Sequence, residues 1–260
     1  MKNEYALITG ASQGLGKYLC FALAKRNYNI LLVSLPNENL ESVTKQVKQF
    51  GVQADYFETD ITKKQQIIDL ANWANKYPIS ILVNNAGCGG SKKIDEVSVD
   101  YIETMIQLNI TASTLITKLV LPNLNHQPKA YILNISSMAA FSPIGYKTVY
   151  PATKKFLEWF SRGLHYELKA QNTSVTVVYP GPMRTNEEVS NRINQQSKFV
   201  NAGVVDLETV AELSLNGMFK NKRKVIPGKL NKLSRFILAI LPTKTTIAML
   251  SKAIKKELDT

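Results

Sequence analysis

Seven short apolar runs recur along this 260-residue chain: YALIT, NILLVS, QADYFE, ISILVN, KAYILNIS, SVTVVYP and KVIP. They are rich in Val, Ile, Leu and Tyr and almost continuously apolar, as strands buried on both faces are. Between them lie segments such as NLESVTKQVKQF and KKQQIIDLANWANKY, whose apolar residues return at helical spacing. Alternation of this kind leaves few solutions, and the simplest is an α/β fold with a doubly wound parallel sheet, right-handed crossovers and helices on both faces. No repeat, low-complexity linker or break in composition divides Met1 from Asn201. Residues 1–228 therefore read as a single domain holding every site, and residues 229–260 as a basic, amphipathic helical extension of it. At 45% hydrophobic residues, such a chain can bury one large core.

The two cysteines, Cys20 and Cys88, form no CxxC pair, and MKNEYALITG runs straight into a strand without an apolar leader. A reducing, cytoplasmic setting is expected. The apolar run FILAIL is stopped by Pro242 and falls far short of a bilayer span, so no membrane crossing is expected. His126 and His165 make no ligand cluster, and no metal site is expected.

Directly after the first strand comes TGASQGLGKYLCFALAKRN, with Gly10, Gly14 and Gly16 leading into a helix. Glycines let the backbone turn tightly and approach a pyrophosphate, whose charge is favoured by the free amides of the helix start. A glycine triplet can also be an empty tight turn, but its place after the first strand of an alternating chain points to a dinucleotide.

Other short patterns follow in order: Asp60 after the third strand, NNAG at Asn84 to Gly87, Leu108 and Asn109, NISS at Asn134 to Ser137, YPATK from Tyr150, and PGPMRT at Pro180 to Thr185. Together with the glycine spacing, they resemble the short-chain dehydrogenase/reductase family in its compact single-domain form. The resemblance covers about Met1 to Thr185 and implies a Rossmann-type sheet of about seven strands. It also implies an NAD(P)-dependent oxidoreductase acting on a ketone or a secondary alcohol. Dinucleotide contacts are implied at Gly10, Ser12, Gln13, Gly14, Leu15 and Gly16, at Ser34, and at Asp60 and Ile61 on the adenine side. Asn85, Ala86 and Gly87 would line the adenosine and ribose, and Pro180, Gly181 and Thr185 the nicotinamide. Asn84, Asn85 and Asp60 have a plainer reading too, as caps of a strand end or a helix start.

Tyr150 is followed four residues later by Lys154, and Pro151 suits a first helical turn, so the two side chains share one helical face. A phenol with a pKa of about 10 is a poor proton donor or acceptor at neutral pH, and a nearby ammonium favours its ionised form. Ser137 ends the fifth strand thirteen residues before Tyr150, where a doubly wound sheet opens its ligand crevice. Ser136 stands beside it and stays open as a contributor. The resemblance implies that Tyr150 exchanges a proton with the substrate oxygen, which Ser137 orients. It further implies that Lys154 favours the tyrosinate and holds the nicotinamide ribose, while Asn109 fixes a water in the proton path.

After the second strand, where an acid would bind ribose hydroxyls and an arginine a 2′-phosphate, stand Ser34 and Leu35. Lacking the acid, and with Ser34 and Lys17 as donors, the sequence favours NADP and leaves NAD open. The stretch NEEVSNRINQQSKFVNAG reads as a mobile lid over a substrate pocket.

The net charge is +12, of which eleven Lys and Arg against Glu257 and Asp259 place +9 in Lys220 to Thr260. Within that tail Leu230, Leu233, Phe236, Ile237 and Ile240 share one helical face, and Ile247, Leu250, Ile254 and Leu258 another, opposite Lys252, Lys255 and Lys256. Such helices lie on anionic membranes, or cover the protein body, roof the substrate site or form a homo-oligomer contact. A membrane contact through residues 229–260 would suit a lipophilic substrate such as an acyl chain, steroid or isoprenoid. Nucleic acid is not expected, because the tail lacks interleaved aromatic residues. Two other functions compete with catalysis: a silent dinucleotide-binding regulator or scaffold, and a peripheral membrane module using the tail.

Overall fold

A computed structural model describes residues 3–185, 189–190 and 203–259. The expected lid, Asn186 to Gly203, lies almost wholly outside the described residues. The strands are β1 (Tyr5–Thr9), β2 (Asn29–Ser34), β3 (Ala54–Glu58), β4 (Ile79–Asn84), β5 (Ala130–Ile135), β6 (Thr173–Val178) and β7 (Lys224–Val225). Each coincides with one of the seven apolar runs. They form one parallel sheet in the order β3-β2-β1-β4-β5-β6-β7, reversing direction of growth between β1 and β4.

Alternate residues of the central strands enter opposite cores. Ala6, Ile8, Ile30 and Leu32 face the side covered by α1 (Gly14–Ala24), α2 (Leu40–Lys48) and, later in the chain, α7 (Leu207–Phe219). Tyr5, Leu7, Leu31 and Val33 face the side of α3 (Lys64–Ala74), α5 (Ser113–Asn125) and α6 (Val149–Glu167). Each fully buried Leu or Ile contributes about 1.5–3 kcal/mol, which explains why these strands carry no polar alternation.

The helix preceding α5 is α4 (Val99–Ile106), joined to it by a π-helical turn, Gln107–Ala112. The resulting rod Val99–Asn125 has the length and apolarity to cross a membrane. In this fold it lies on the sheet, with Ala112, Ile116, Val120 and Leu124 packed into the same core as Leu82 and Ile132.

The tail forms α8 (Lys229–Ile240) and α9 (Thr243–Leu258). Buried Asn231 of α8 donates to Gly203 O at 3.1 Å and Pro227 O at 2.8 Å. Thr246 and Ser251 of α9 bond to the loop after β5, through Ser142 Oγ at 3.3 Å and Gly145 N at 2.7 Å. The two tail helices dispose of their apolar stripes differently. In α9, Ile247, Leu250 and Ile254 are partly covered, whereas in α8 the stripe Leu230, Leu233, Phe236 and Ile240 faces solvent.

Candidate active site

At the C-terminal end of β1, Gly10 adopts φ +66°, and a Cβ there would lie 2.9 Å from Asn85 Nδ2 and 3.0 Å from Ala86 Cα. Only glycine allows that turn and that approach. The helix it opens, α1, has no acidic residue in its first turn, and its N-cap Gln13 makes no side-chain capping bond. The first-turn amides thus keep the donors that an anion would take, and a pyrophosphate fits this donor set. Thr185 closes the turn from the other side, 3.2 Å from the position of a Cβ on Gly14. Leu15 and Gly16 are buried against the sheet.

Buried Ser12 donates to Glu38 Oε2 at 2.6 Å. The loop after β2 therefore does bring an acid to the glycine turn, four residues beyond Ser34. The two donors considered for a 2′-phosphate are engaged elsewhere: Ser34 Oγ donates to Leu35 O at 3.2 Å, and Lys17 Nζ lies 5.5 Å from the Phe21 ring centre. Asp60 follows its plainer reading in part, since Oδ1 accepts from Thr62 N at 2.9 Å and Thr62 Oγ1 at 2.7 Å, while Ile61 is buried beside it. Asn85 Nδ2 bridges Thr9 O and Gly10 O, both at 3.0 Å, and ties β4 to the glycine turn. Asn84 and Asn134 join in a buried chain that ends on Ser161 Oγ.

The four expected catalytic residues lie on elements that meet beyond β4 and β5. Lys154, 4% exposed, donates from Nζ to Ile135 O at 3.1 Å and stands 5.8 Å from the Tyr150 ring centre. Burial pushes its ammonium down to about 8. A second cation, Lys147, lies 5.4 Å from the same ring centre. Gly87 and Gly89 let the loop after β4 pass against these groups: a Cβ on Gly87 would lie 3.0 Å from Lys154 Nζ, and one on Gly89 2.6 Å from Tyr150 Cδ2. Burial raises the Cys88 thiol pKa between them, with the Lys154 charge opposing.

Geometry separates the two serines. Ser136 Oγ donates to Lys154 O at 2.7 Å inside the protein, a structural tie between β5 and α6. Ser137 Oγ accepts from Ala139 N at 3.1 Å, leaving its own proton without a partner among the described residues. Asn109 sits fully buried on the π-helical turn. Its Nδ2 donates to Cys88 O at 2.9 Å and Thr153 Oγ1 at 3.0 Å, and its Oδ1 accepts from Cys88 N at 3.0 Å. Both amide protons are spent on holding the loop after β4 to α6.

On the other side, Pro180 O accepts from Met138 N at 2.9 Å, placing the PGPMRT segment beside Ser137. Gly181 lies under Asn231, whose Nδ2 would be 2.6 Å from a Cβ there. A groove next to Tyr150 is lined by Ile94, Val97, Tyr101, Ile102 and Met105, with Lys92 and Lys147 at its edge. Glu38, Lys147 and the Asn109 clamp escaped sequence reasoning. For Glu38 a signal existed, an acid in the loop after the second strand, but four residues past Ser34 at the strand end.

A parallel sheet with a glycine turn at its switch point, and a serine, tyrosine and lysine beside it, defines the class of dinucleotide-binding oxidoreductases. The family model for short chain dehydrogenase matches residues 4–197, and the chain belongs to that family. A curated relative, very-long-chain 3-oxoacyl-CoA reductase of Anas platyrhynchos, is 31% identical over 260 residues, covering 98% of this chain and 81% of the relative. The chain spans about three fifths of the length of further reductases of that name from Danio rerio, Macaca fascicularis and Rattus norvegicus. Among solved structures, one described for 7beta-hydroxysteroid dehydrogenase stereoselectivity superposes with a TM-score of 0.86 at 20% identity, over 96% of each chain. A short-chain dehydrogenase from Sphingobium yanoikuyae in complex with NADPH gives 0.78 at 25% identity, over 92% of this chain and 96% of that one.

Proposed function

We propose that this protein interconverts a ketone and a secondary alcohol, with Tyr150 as the general acid or base. The observations that carry this reading are the Lys154 ammonium held beside the Tyr150 ring and, just past the end of β5, a Ser137 hydroxyl proton without a partner among the described residues. Ser137 donates to the substrate oxygen and aims it at Tyr150. The phenol gives its proton to that oxygen during reduction and takes it back during oxidation, and the buried Lys154 charge favours the tyrosinate that forms. Asn109 acts as a positioning residue that holds the Cys88 loop against α6; its Oδ1 keeps capacity for one further hydrogen bond. A bound nicotinamide dinucleotide supplies or accepts the hydride. It would be held by the α1 amides, Ser12, Asn85 to Gly87, Lys154 and the Pro180 to Thr185 segment.

The dinucleotide in this reading is NAD. The sequence-based preference for NADP rested on the missing acid, and Glu38, hydrogen-bonded to Ser12, supports a ribose diol and repels a 2′-phosphate. A lipophilic substrate is supported by the acyl substrate in the name of the Anas platyrhynchos relative. Residues 1–228 serve as the catalytic body and residues 229–260 as an extension tied on by Asn231, Thr246 and Ser251. The free thiols Cys20 and Cys88 suit a reducing compartment such as the cytoplasm.

Nicotinamide absorbance across a panel of hydrophobic ketones and alcohols tests the mechanism. Tyr150→Phe should bind dinucleotide like wild type and lose at least about a hundredfold in turnover, the usual scale of general acid–base catalysis. Retained turnover would exclude Tyr150, and dinucleotide binding without turnover in the wild type would favour the regulatory reading.

A further inference from the structure

Helix α8 presents to water the side chains that a soluble helix buries. Leu233 is 51%, Phe236 63% and Ile240 65% exposed, on the same face as half-exposed Leu230, while the covered edge holds Asn231, Ser234 and Arg235 together with Ile237 and Leu238. Arg235 lies 4.4 Å from the Phe141 ring centre and fixes that orientation. The helix thus buries Asn231 and only part of its apolar surface, and leaves Leu233, Phe236 and Ile240 outward, where an ordinary surface helix is polar.

Along the chain, the charge that flanks the stripe has one sign. From Leu213 to Lys256 the chain contains eleven Lys and Arg and no acid. Lys229 and Lys232 flank the exposed apolar residues, and Lys220, Lys222, Arg223 and Lys224 precede them in the approach to α8. All six are exposed and form no ion pair among the described residues. A second copy of the chain docked isologously here would bring two like-charged lysine-flanked faces together. An anionic bilayer answers both halves of the surface, hydrocarbon for the stripe and lipid phosphates for the lysines.

We propose that α8 docks the protein on anionic membranes, with Leu233, Phe236 and Ile240 inserted among the acyl chains and Lys229 and Lys232 at headgroup level. This rests on the exposed helix and its charge, independently of the catalytic reading. It has a consequence for the site, because α8 packs on the 3₁₀ turn Met138–Phe141 that follows Ser137 and covers Gly181 through Asn231. Docking by α8 sets that side of the site next to the lipid.

Vesicle flotation of the full chain tests the surface, using phosphatidylcholine with and without phosphatidylserine. Wild type should float with the anionic vesicles and be released by high salt. Leu233→Glu/Phe236→Glu and, separately, Lys229→Glu/Lys232→Glu should each weaken binding about tenfold or more. Both pairs are exposed, so dinucleotide titration should stay as in wild type and serve as the folding control. Three results overturn the proposal: no flotation of wild type, flotation that ignores both variants, or a dimer in light scattering that Leu233→Glu/Phe236→Glu abolishes while vesicle binding is absent.

Discussion

Lys154 carries a positive charge into a space that gives it one hydrogen-bond acceptor among the described residues, Ile135 O. Burial lowers its pKa to about 8, so at neutral pH it stays protonated and the fold bears the cost of the desolvated charge. The folded chain releases this proton before the unfolded one, whose lysine titrates near 10.4. Between those values the unfolded state binds more protons, so the Lys154 contribution to stability rises with pH across the window and is flat below it. Urea denaturation of wild type and Lys154→Met should show wild type gaining on the variant by up to about 1.4 kcal/mol per pH unit from about pH 8 to 10. A pH-independent difference would mean that the ammonium is not depressed. Tyr150 and Lys154 are legible as a pair from spacing alone, and so is Ser137. What spacing does not reveal is that Ser136 spends its hydroxyl on Lys154 O while Ser137 keeps its proton. Two adjacent serines differ only in which face of the strand end each side chain takes, and the turn Met138–Phe141 sets that.

Elements follow the apolar pattern closely where burial on both faces dictates it, as in β1, β2 and β4. The pattern is silent about the π-helical turn Gln107–Ala112, since one extra residue per turn changes no residue type. That turn places Asn109 where its amide meets Cys88 on one side and Thr153 on the other, coupling three elements through one side chain. Asn109→Ala would take away the partner of the partly buried Cys88 backbone N–H and C=O. A hydrogen bond contributes about 0.5–1.5 kcal/mol net, and three are lost here, so a loss of roughly 1–3 kcal/mol is expected in chemical denaturation. Turnover should fall with it, whereas dinucleotide affinity, set largely at the glycine turn, should change little. Unchanged stability would show that the clamp is replaced by solvent. The tail helices mark the other limit of pattern reading. Both look amphipathic, but which stripe faces inward depends on Asn231, Thr246 and Ser251 finding partners in distant loops.

Across the molecule, the net charge of +12 would attract a dinucleotide with an extra phosphate more strongly than one without, in opposition to Glu38. Distance decides between them. Most of the charge, +9, belongs to Lys220 to Thr260, which packs near the ends of β5 and β6 and around β7. In the sheet order, β2 lies three to five strands away from these, roughly 14–24 Å at about 4.8 Å per strand. That exceeds the Debye length of about 8 Å at physiological salt, so the tail's field is largely screened where the ribose would bind. Glu38 is in direct contact with the glycine turn through Ser12. A carboxylate about 5 Å from a phosphate charge, at an effective dielectric constant of about 20, opposes it by about 3 kcal/mol before salt screening. The local term wins, and NADH should bind wild type at least about tenfold more tightly than NADPH, equivalent to about 1.4 kcal/mol. Glu38→Gln keeps the size and a hydrogen bond to Ser12 but removes the charge, so NADPH should gain about tenfold while NADH changes little. Fluorescence titration of both dinucleotides, at low and at physiological salt, measures this directly. Tighter NADPH binding by wild type, or a ratio that Glu38→Gln leaves unchanged, would return the choice to Ser34 and Lys17.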